Sequence, residues 1–215
     1  MTTTDQGRLT ISDEQFRAGK TYDEYVASIA VNAAKFADNL AKATVPEDLA
    51  ARLRALVARP DGPKRLLIFG EDWCPDVYRG IPVAQRIADA AGIELRVLER
   101  DQHLDAFDPF KNGDFLSIPV FVFLDAENRV IAHWTERPAL ANAQMREALS
   151  PVFGPSGTRQ LTEKLGRPPT EEENAAAKRE ASIRYDTFQS SSPYWAGWRD
   201  ATVVEVTELL EEALR

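Results

Sequence analysis

The sequence is poor in the residues that build disulfides and metal sites. Its 215 residues include one cysteine, Cys74, and two histidines. A single thiol excludes an intrachain disulfide and any zinc or iron–sulfur site that needs several thiolates. Because two histidines are also too few for a histidine-rich centre, we expect no resident metal.

Positive charge and long apolar runs are also scarce. Lys and Arg total 26 against 34 Asp and Glu, a formal net charge of −8. This balance argues against nucleic acid and anionic membranes as partners, because both attract clustered cations. No apolar run approaches the ~20 residues that cross a bilayer, and the polar start, residues 1–6, lacks the pattern of a signal peptide. These features predict a cytoplasmic protein.

What the sequence does contain suits a folded domain with helical extensions. Its apolar content of 44% and charged content of 28% are typical of globular proteins. Residues 1–63 and 151–215 are predicted to be helical, and residues 64–150 form the domain between them. Capping boxes at Thr21/Glu24 and Thr170/Glu173 predict helix starts in the two extensions. One helix is expected over residues 22–40, and a final helix from Trp198 to Leu214.

The middle segment alternates strands with helices. Residues 66–69 form a continuous apolar run, as in a strand buried on both faces. A helix is predicted from Pro75 to a stop at Gly92, followed by a strand over residues 93–98. Residues 120–124 and 129–134 flank a four-residue loop and predict a hairpin. The order indicates an α/β fold with a mixed central sheet.

The junction between the buried strand and the helix carries the motif Glu-Asp-Trp-Cys-Pro-Asp, residues 71–76. Pro82 lies eight residues after Cys74, and Ser117-Ile118-Pro119 directly precedes the hairpin. Together these features resemble the thioredoxin superfamily, in which Trp-Cys opens the active-site helix and a cis-proline loop faces it. The resemblance implies a thioredoxin-like three-layer fold, extended by the N- and C-terminal helical segments.

A narrower resemblance covers nearly the whole chain. The Glu-Asp-Trp-Cys-x-Asp motif, the Ser-Ile-Pro-x-Phe-x-Phe segment and the helical flanks are similar to bacterial proteins called "thioredoxin family protein", many of which lack the second cysteine. Here Val77 occupies the position of that resolving cysteine. The resemblance implies Cys74 as the nucleophile, with Trp73, Pro75 and Asp76 around it. It also implies that Ile118 and Pro119, joined by a cis peptide bond, receive the substrate.

The electrostatic environment of Cys74 is predicted to be mixed. A helix N-terminus favours the thiolate, whereas the nearby Asp72 and Asp76 disfavour it, so the sequence leaves the direction of the pKa shift open. We expect the thiol to be accessible.

Without a second cysteine, the expected chemistry is attack by Cys74 on a disulfide or sulfenic acid, followed by release by an external thiol such as glutathione as co-substrate. The expected partners are protein or small-molecule thiols and disulfides, and no bound cofactor is expected. Two alternatives stay open: a thioredoxin-fold binding or assembly module without a redox cycle, and a homodimer joined through Cys74.

Overall fold

A computed structural model describes residues 9–154 and 158–215. The polar start over residues 1–6, from which the absence of a signal peptide was predicted, lies outside the described residues. By their contacts the residues form two units. Residues up to Arg137 together with Arg199–Arg215 make up the first, called here the sheet unit, and Pro138–Trp198 make up the second, the helical unit.

Four strands form one mixed sheet in the order β2-β1-β3-β4. The strands are β1 (Arg65–Gly70), β2 (Glu94–Glu99), β3 (Val120–Leu124) and β4 (Val130–Thr135). β1 runs parallel to β2 and antiparallel to β3, and β4 pairs antiparallel with β3. The predicted mixed α/β fold is confirmed. The hairpin loop is one residue longer than expected, because Arg129 lies ahead of β4.

Both faces of the central strands are covered within the sheet unit. On one face lies α5 (Pro75–Ala91), whose Val77 and Ile81 pack against Gly70 at the end of β1. On the other face, Phe69 makes an edge contact with Phe107, which belongs to the short helix α6 (Leu104–Phe107). Burial on two faces explains the continuous apolar runs of β1 and β3.

The N-terminal segment belongs to the sheet unit. It forms α1 (Asp13–Ala18), α2 (Tyr22–Ser28), α3 (Ala33–Lys42) and α4 (Glu47–Ala58). α3 and α4 pack on α5, and Lys20 pairs through its backbone with Val97 at the outer edge of β2. The division of the chain at residues 63 and 150 stays a prediction, although the N-terminal helices share a unit with the sheet.

The predicted single helix over residues 22–40 is wrong, since the structure divides it into α2 and α3. The capping box at Thr21 and Glu24 starts α2 as expected. The chain then turns at Asn32, which has a φ of 64°, and α3 begins at Ala33. Helical spacing alone missed the break because the apolar face resumes at Phe36 after the turn.

The helical unit contains α7 (Ala139–Phe153), α8 (Thr158–Leu165), α9 (Glu171–Ser191) and the first residues of α10 (Pro193–Ala213). α9 begins at the predicted capping box, where the Thr170 side chain accepts a hydrogen bond from the backbone N–H of Glu173. The final helix starts at Pro193 rather than at Trp198, because proline fits the first turn of a helix. Phe188, Trp195 and Trp198 pack together in this unit.

Candidate functional site

Cys74 is the N-cap residue of α5, directly after β1 and its connecting turn. Its backbone carbonyl accepts hydrogen bonds from the N–H groups of Val77 (3.0 Å) and Tyr78 (3.1 Å), which start the helix. Pro75 follows as the first helical residue, where its missing N–H leaves no helical hydrogen bond unmade. The thiol therefore lies at the positive end of a helix of 17 residues, as expected.

The loop before β3 closes against this helix end. The Ile118–Pro119 peptide bond is cis, as predicted. Cys74 Sγ lies 3.8 Å from the carbonyl oxygen of Ile118, to which the thiol donates. Gly80 on α5 permits the close approach, because a Cβ there would come within 3.1 Å of Pro119 Cγ.

The expectation that the thiol is accessible is wrong. Cys74 retains only 9% of its surface, since the loop at Ile118 and the turn before α5 enclose it. Burial is the main influence on the thiol and raises the pKa of Cys74, and the negative charge of Asp76 adds to it. The backbone N–H groups of Val77 and Asp76 and the charge of Arg137 lower that pKa but do not outweigh burial. The structure thus favours the neutral thiol.

Asp76 holds two arginines beside the thiol. Its carboxylate contacts Arg79, one turn along α5, at 2.6 Å, and Arg137, after β4, at 2.8 Å. Asp76 and Arg79 are buried, and Arg137 is largely so. Asp76 therefore joins the Cys74 helix to the end of β4, and its charge and that of Arg137 both act on the sulfur. Sequence reasoning placed Asp76 here but missed both arginines, although Arg79 lies three residues after Asp76, a spacing that brings two side chains together on a helix.

The N-terminal segment fixes the other side of the turn. The Asp72 carboxylate accepts from the N–H groups of Ala30 (2.8 Å) and Val31 (3.0 Å), and Asn32 donates to the Asp72 carbonyl. The break between α2 and α3 thus lies against the Trp-Cys turn. Asp72 is engaged by these N–H groups, so its part in the site is to hold the turn in place.

Trp73 is open to solvent beside the enclosed sulfur, with 54% of its surface exposed. The guanidinium of Arg100 lies 5.7 Å from the centre of its ring. The same side chain donates to the carbonyl of Leu116 (2.6 Å) and pairs with Asp101 (2.6 Å). Arg100 therefore connects the Trp-Cys turn to the loop that ends at the cis bond.

The predicted residues come together: Trp73, Cys74, Pro75 and Asp76 on one side of the site, and Ile118 and Pro119 on the other. The backbone N–H of Ile118, in the loop before β3, has no hydrogen-bond acceptor among the described residues. Within residues 9–154 and 158–215, no group of three His, Cys, Asp or Glu side chains could hold a metal ion. None of the helices in that part of the chain is long and apolar enough to cross a bilayer.

Comparisons with known proteins agree with this architecture. Two solved structures resemble the chain at 18% sequence identity: a protein of unknown function from Pseudomonas aeruginosa and an HIV epitope scaffold. The first has a TM-score of 0.61 and the match covers 94% of this chain and 99% of that one; the second has a TM-score of 0.56 and covers 93% and 96%. No functionally curated protein matches. The family model described as thioredoxin matches residues 19–149, more than half of the sequence, so this chain belongs to the thioredoxin family.

Proposed function

We propose that this protein catalyses thiol–disulfide exchange with Cys74 as its only nucleophile and an external thiol as the resolving group. The observation that carries the proposal is the position of the sulfur at the N-terminus of α5, 3.8 Å from the carbonyl of Ile118. That position brings together a helix end that supports a thiolate and a cis-proline loop whose Ile118 N–H has no acceptor among the described residues.

The exchange proceeds in two balanced steps. The Cys74 thiolate attacks one sulfur of a disulfide, so that a mixed disulfide forms and the other sulfur leaves as a thiolate. An external thiolate, such as that of glutathione, then attacks the mixed disulfide, restores Cys74 and carries the substrate sulfur into a new disulfide. Val77 at the resolving position makes the external thiol necessary, because the chain has no second cysteine.

The raised pKa of Cys74 slows this chemistry without preventing it. Each unit by which a thiol pKa rises above the ambient pH reduces the thiolate fraction about tenfold. The nucleophilicity of that thiolate increases with its basicity, with a Brønsted coefficient of about 0.4–0.5, so the net loss is only about threefold per unit. We therefore expect slow exchange at neutral pH and faster exchange in alkaline solution.

The test compares wild-type protein with Cys74→Ser in the release of glutathione from a glutathionylated peptide, with reduced glutathione present. The wild type is expected to accelerate release, and Cys74→Ser is expected to match the rate without protein. Val204→Ser serves as a control. Val204 is exposed on α10, so this substitution removes an apolar side chain outside the site. Equal rates for wild type and Cys74→Ser would rule out the exchange function.

A second candidate function is binding without redox chemistry. It is favoured by the 9% exposure of Cys74, which restricts access of a substrate disulfide to the sulfur. On this account, Cys74→Ser retains full binding of a partner, whereas Trp73→Ser weakens it, because Trp73 is the exposed ring beside the site. Loss of binding in Cys74→Ser would favour exchange instead.

A further inference from the structure

The helical unit contains a cavity between the end of α7, helix α8 and helix α9. Its volume is about 450 Å³, within the range of about 300–1,000 Å³ that is usual for small-molecule sites. The residues that line it all belong to Pro138–Trp198. Cys74 is not among them, so this cavity is separate from the site of the proposed exchange chemistry.

Part of the lining of this cavity is apolar. Leu161 and Leu165 lie one turn apart on α8, and Ala176 and Ala177 line the same space from α9. Because an alanine side chain ends at Cβ, the volume that a larger side chain would occupy stays open. Leu165 keeps 37% of its surface exposed, so an apolar group placed against it removes apolar surface from water on both sides. The lining therefore favours a ligand with an apolar body.

Arg184 supplies hydrogen-bond donors to the cavity from α9. Its Nε donates to the carbonyl of Val152 (2.7 Å), which fixes the plane of the guanidinium. The Glu180 carboxylate lies 3.7 Å from Nη1, a long pair in which Glu180 is 73% exposed, so water screens it. Nη2 has no acceptor among the described residues. The guanidinium is thus held in place with donors left for an anion.

Positive charge exceeds negative charge at this cavity. Lys164, on α8, lines it and has no ion-pair partner among the described residues. Glu173 also lines it, but Arg167 binds its carboxylate with two hydrogen bonds (2.9 and 2.7 Å) and balances its charge. Among the described lining residues, Glu180 is then the one carboxylate that opposes Lys164 and Arg184. This excess favours an anionic ligand, although the chain as a whole carries a charge of −8.

From the apolar lining and the two cations we infer that the cavity binds a small amphipathic carboxylate, a molecule with an apolar body and one carboxylate group. The apolar body lies against Leu161 and Leu165, and the carboxylate accepts hydrogen bonds from Arg184 and Lys164. An organic cation is a poor occupant because it meets two positive side chains. A wholly polar anion is also poor, since it leaves the exposed surface of Leu165 in water.

The test titrates the full-length protein with three small molecules by isothermal titration calorimetry at low salt. Octanoate carries an apolar chain and a carboxylate, octylammonium carries the chain with a positive charge, and acetate carries the carboxylate without the chain. Octanoate is expected to bind with a Kd below about 1 mM and at least about tenfold more tightly than the other two. Equal affinity for octanoate and octylammonium would overturn the charge argument, and equal affinity for octanoate and acetate would overturn the apolar one. An absence of octanoate binding would overturn the proposal as a whole.

Charge variants locate the carboxylate. Arg184→Gln is expected to weaken octanoate about tenfold, and Lys164→Gln about threefold, because each removes a charged donor from the cavity. Lys164 is exposed and makes no contact that the fold depends on, so its variant keeps the test valid if Arg184→Gln is unstable. Arg179→Gln is the matched control, since Arg179 is exposed on α9 outside the cavity and should be replaceable without effect.

A size variant locates the apolar body. Ala177→Leu fills part of the cavity and is expected to weaken octanoate at least about tenfold. Ser182→Leu, which adds a leucine at an exposed position of α9 outside the cavity, should bind octanoate as the wild type does. If Lys164→Gln and Ala177→Leu both bind like the wild type, octanoate does not bind in this cavity and the proposal is wrong.

The outcomes for this cavity and for thiol chemistry can be told apart. Cys74→Ser should bind octanoate with the affinity of the wild type, because Cys74 does not line the cavity. Octanoate binding together with a wild type that does not accelerate exchange would remove the proposed function and leave the ligand site. Accelerated exchange without octanoate binding would do the reverse.

Discussion

The carboxylate of Asp76 and the guanidinium of Arg137 should move the reactivity of Cys74 in opposite directions. Asp76 lies two residues after Cys74, and its negative charge raises the thiol pKa, although burial raises that pKa more. Arg137 pairs with Asp76 at 2.8 Å, and its positive charge lowers the same pKa. Asp76→Asn should therefore lower the pH at which Cys74 becomes reactive, and Arg137→Gln should raise it.

Both variants should be less stable than the wild type. Asp76→Asn leaves the buried Arg79 guanidinium without its carboxylate, which costs about 3 kcal/mol of unfolding free energy. We take the lower part of the usual range because the amide oxygen still accepts one hydrogen bond. Arg137→Gln removes a charged hydrogen bond from a side chain that is 20% exposed, which costs about 2 kcal/mol.

The assay is the rate of Cys74 alkylation by iodoacetamide as a function of pH, with urea denaturation of the same samples. Cys74 is the only thiol, so total alkylation reports on it alone. Local opening in a destabilised variant raises the rate but cannot move the two midpoints in opposite directions. If both midpoints move the same way, or neither moves, the electrostatic reasoning about Asp76 and Arg137 is refuted.

Three further predictions concern stability and pH. Tyr25→Phe should raise the unfolding free energy by about 1 kcal/mol, since the buried Tyr25 hydroxyl has no hydrogen-bond partner among the described residues. If urea denaturation shows the variant to be less stable, the hydroxyl does have a partner. Phe69→Ala should cost about 3–5 kcal/mol, because Phe69 is fully buried between Phe107 and Phe110; a cost under about 1 kcal/mol would contradict that packing. Burial raises the folded-state pKa of Cys74, so its contribution to stability is present below the ordinary thiol pKa of about 8.5 and is lost as pH rises through the raised value. Relative to Cys74→Ser, the wild type should therefore lose unfolding free energy only in alkaline solution.

The sheet could be predicted because its signals are local. The run from Leu66 to Phe69 is apolar at every position, since both faces of β1 are covered, and a hairpin leaves a visible loop between β3 and β4. α5 begins at Pro75 because proline fits the first turn of a helix. It stops before Gly92 because that residue adopts a φ of 75°, which is outside the helical range. Such features need no knowledge of distant residues.

The environment of Cys74 could be predicted only in part, because distant segments determine it. The cis-proline loop was expected beside the sulfur, and it lies there. The burial of the thiol depends on how closely that loop and the turn before α5 approach each other, and helix spacing carries no information on this. Arg137 was missed for the same reason, since it reaches Asp76 from the end of β4. Arg79 is different: it lies one turn from Asp76 on α5, so helical spacing alone could have predicted that pair.

The exposed apolar side chains of the loop before the cis bond were missed for a different reason. Phe115 and Leu116 lie in a loop, where the sequence pattern gives no face on which to place them. Their exposure follows from the turn closed by Asn112 and from the tie between Arg100 and Leu116.

Intact mass spectrometry of the reduced protein with an excess of oxidised glutathione tests the role of Cys74 most directly. Exchange predicts the gain of one glutathione per chain at alkaline pH, complete reversal by reduced glutathione, and no gain in Cys74→Ser. A wild-type mass that stays unchanged under conditions where the folded protein is intact would contradict the account, because it would show that the enclosed sulfur does not reach a disulfide.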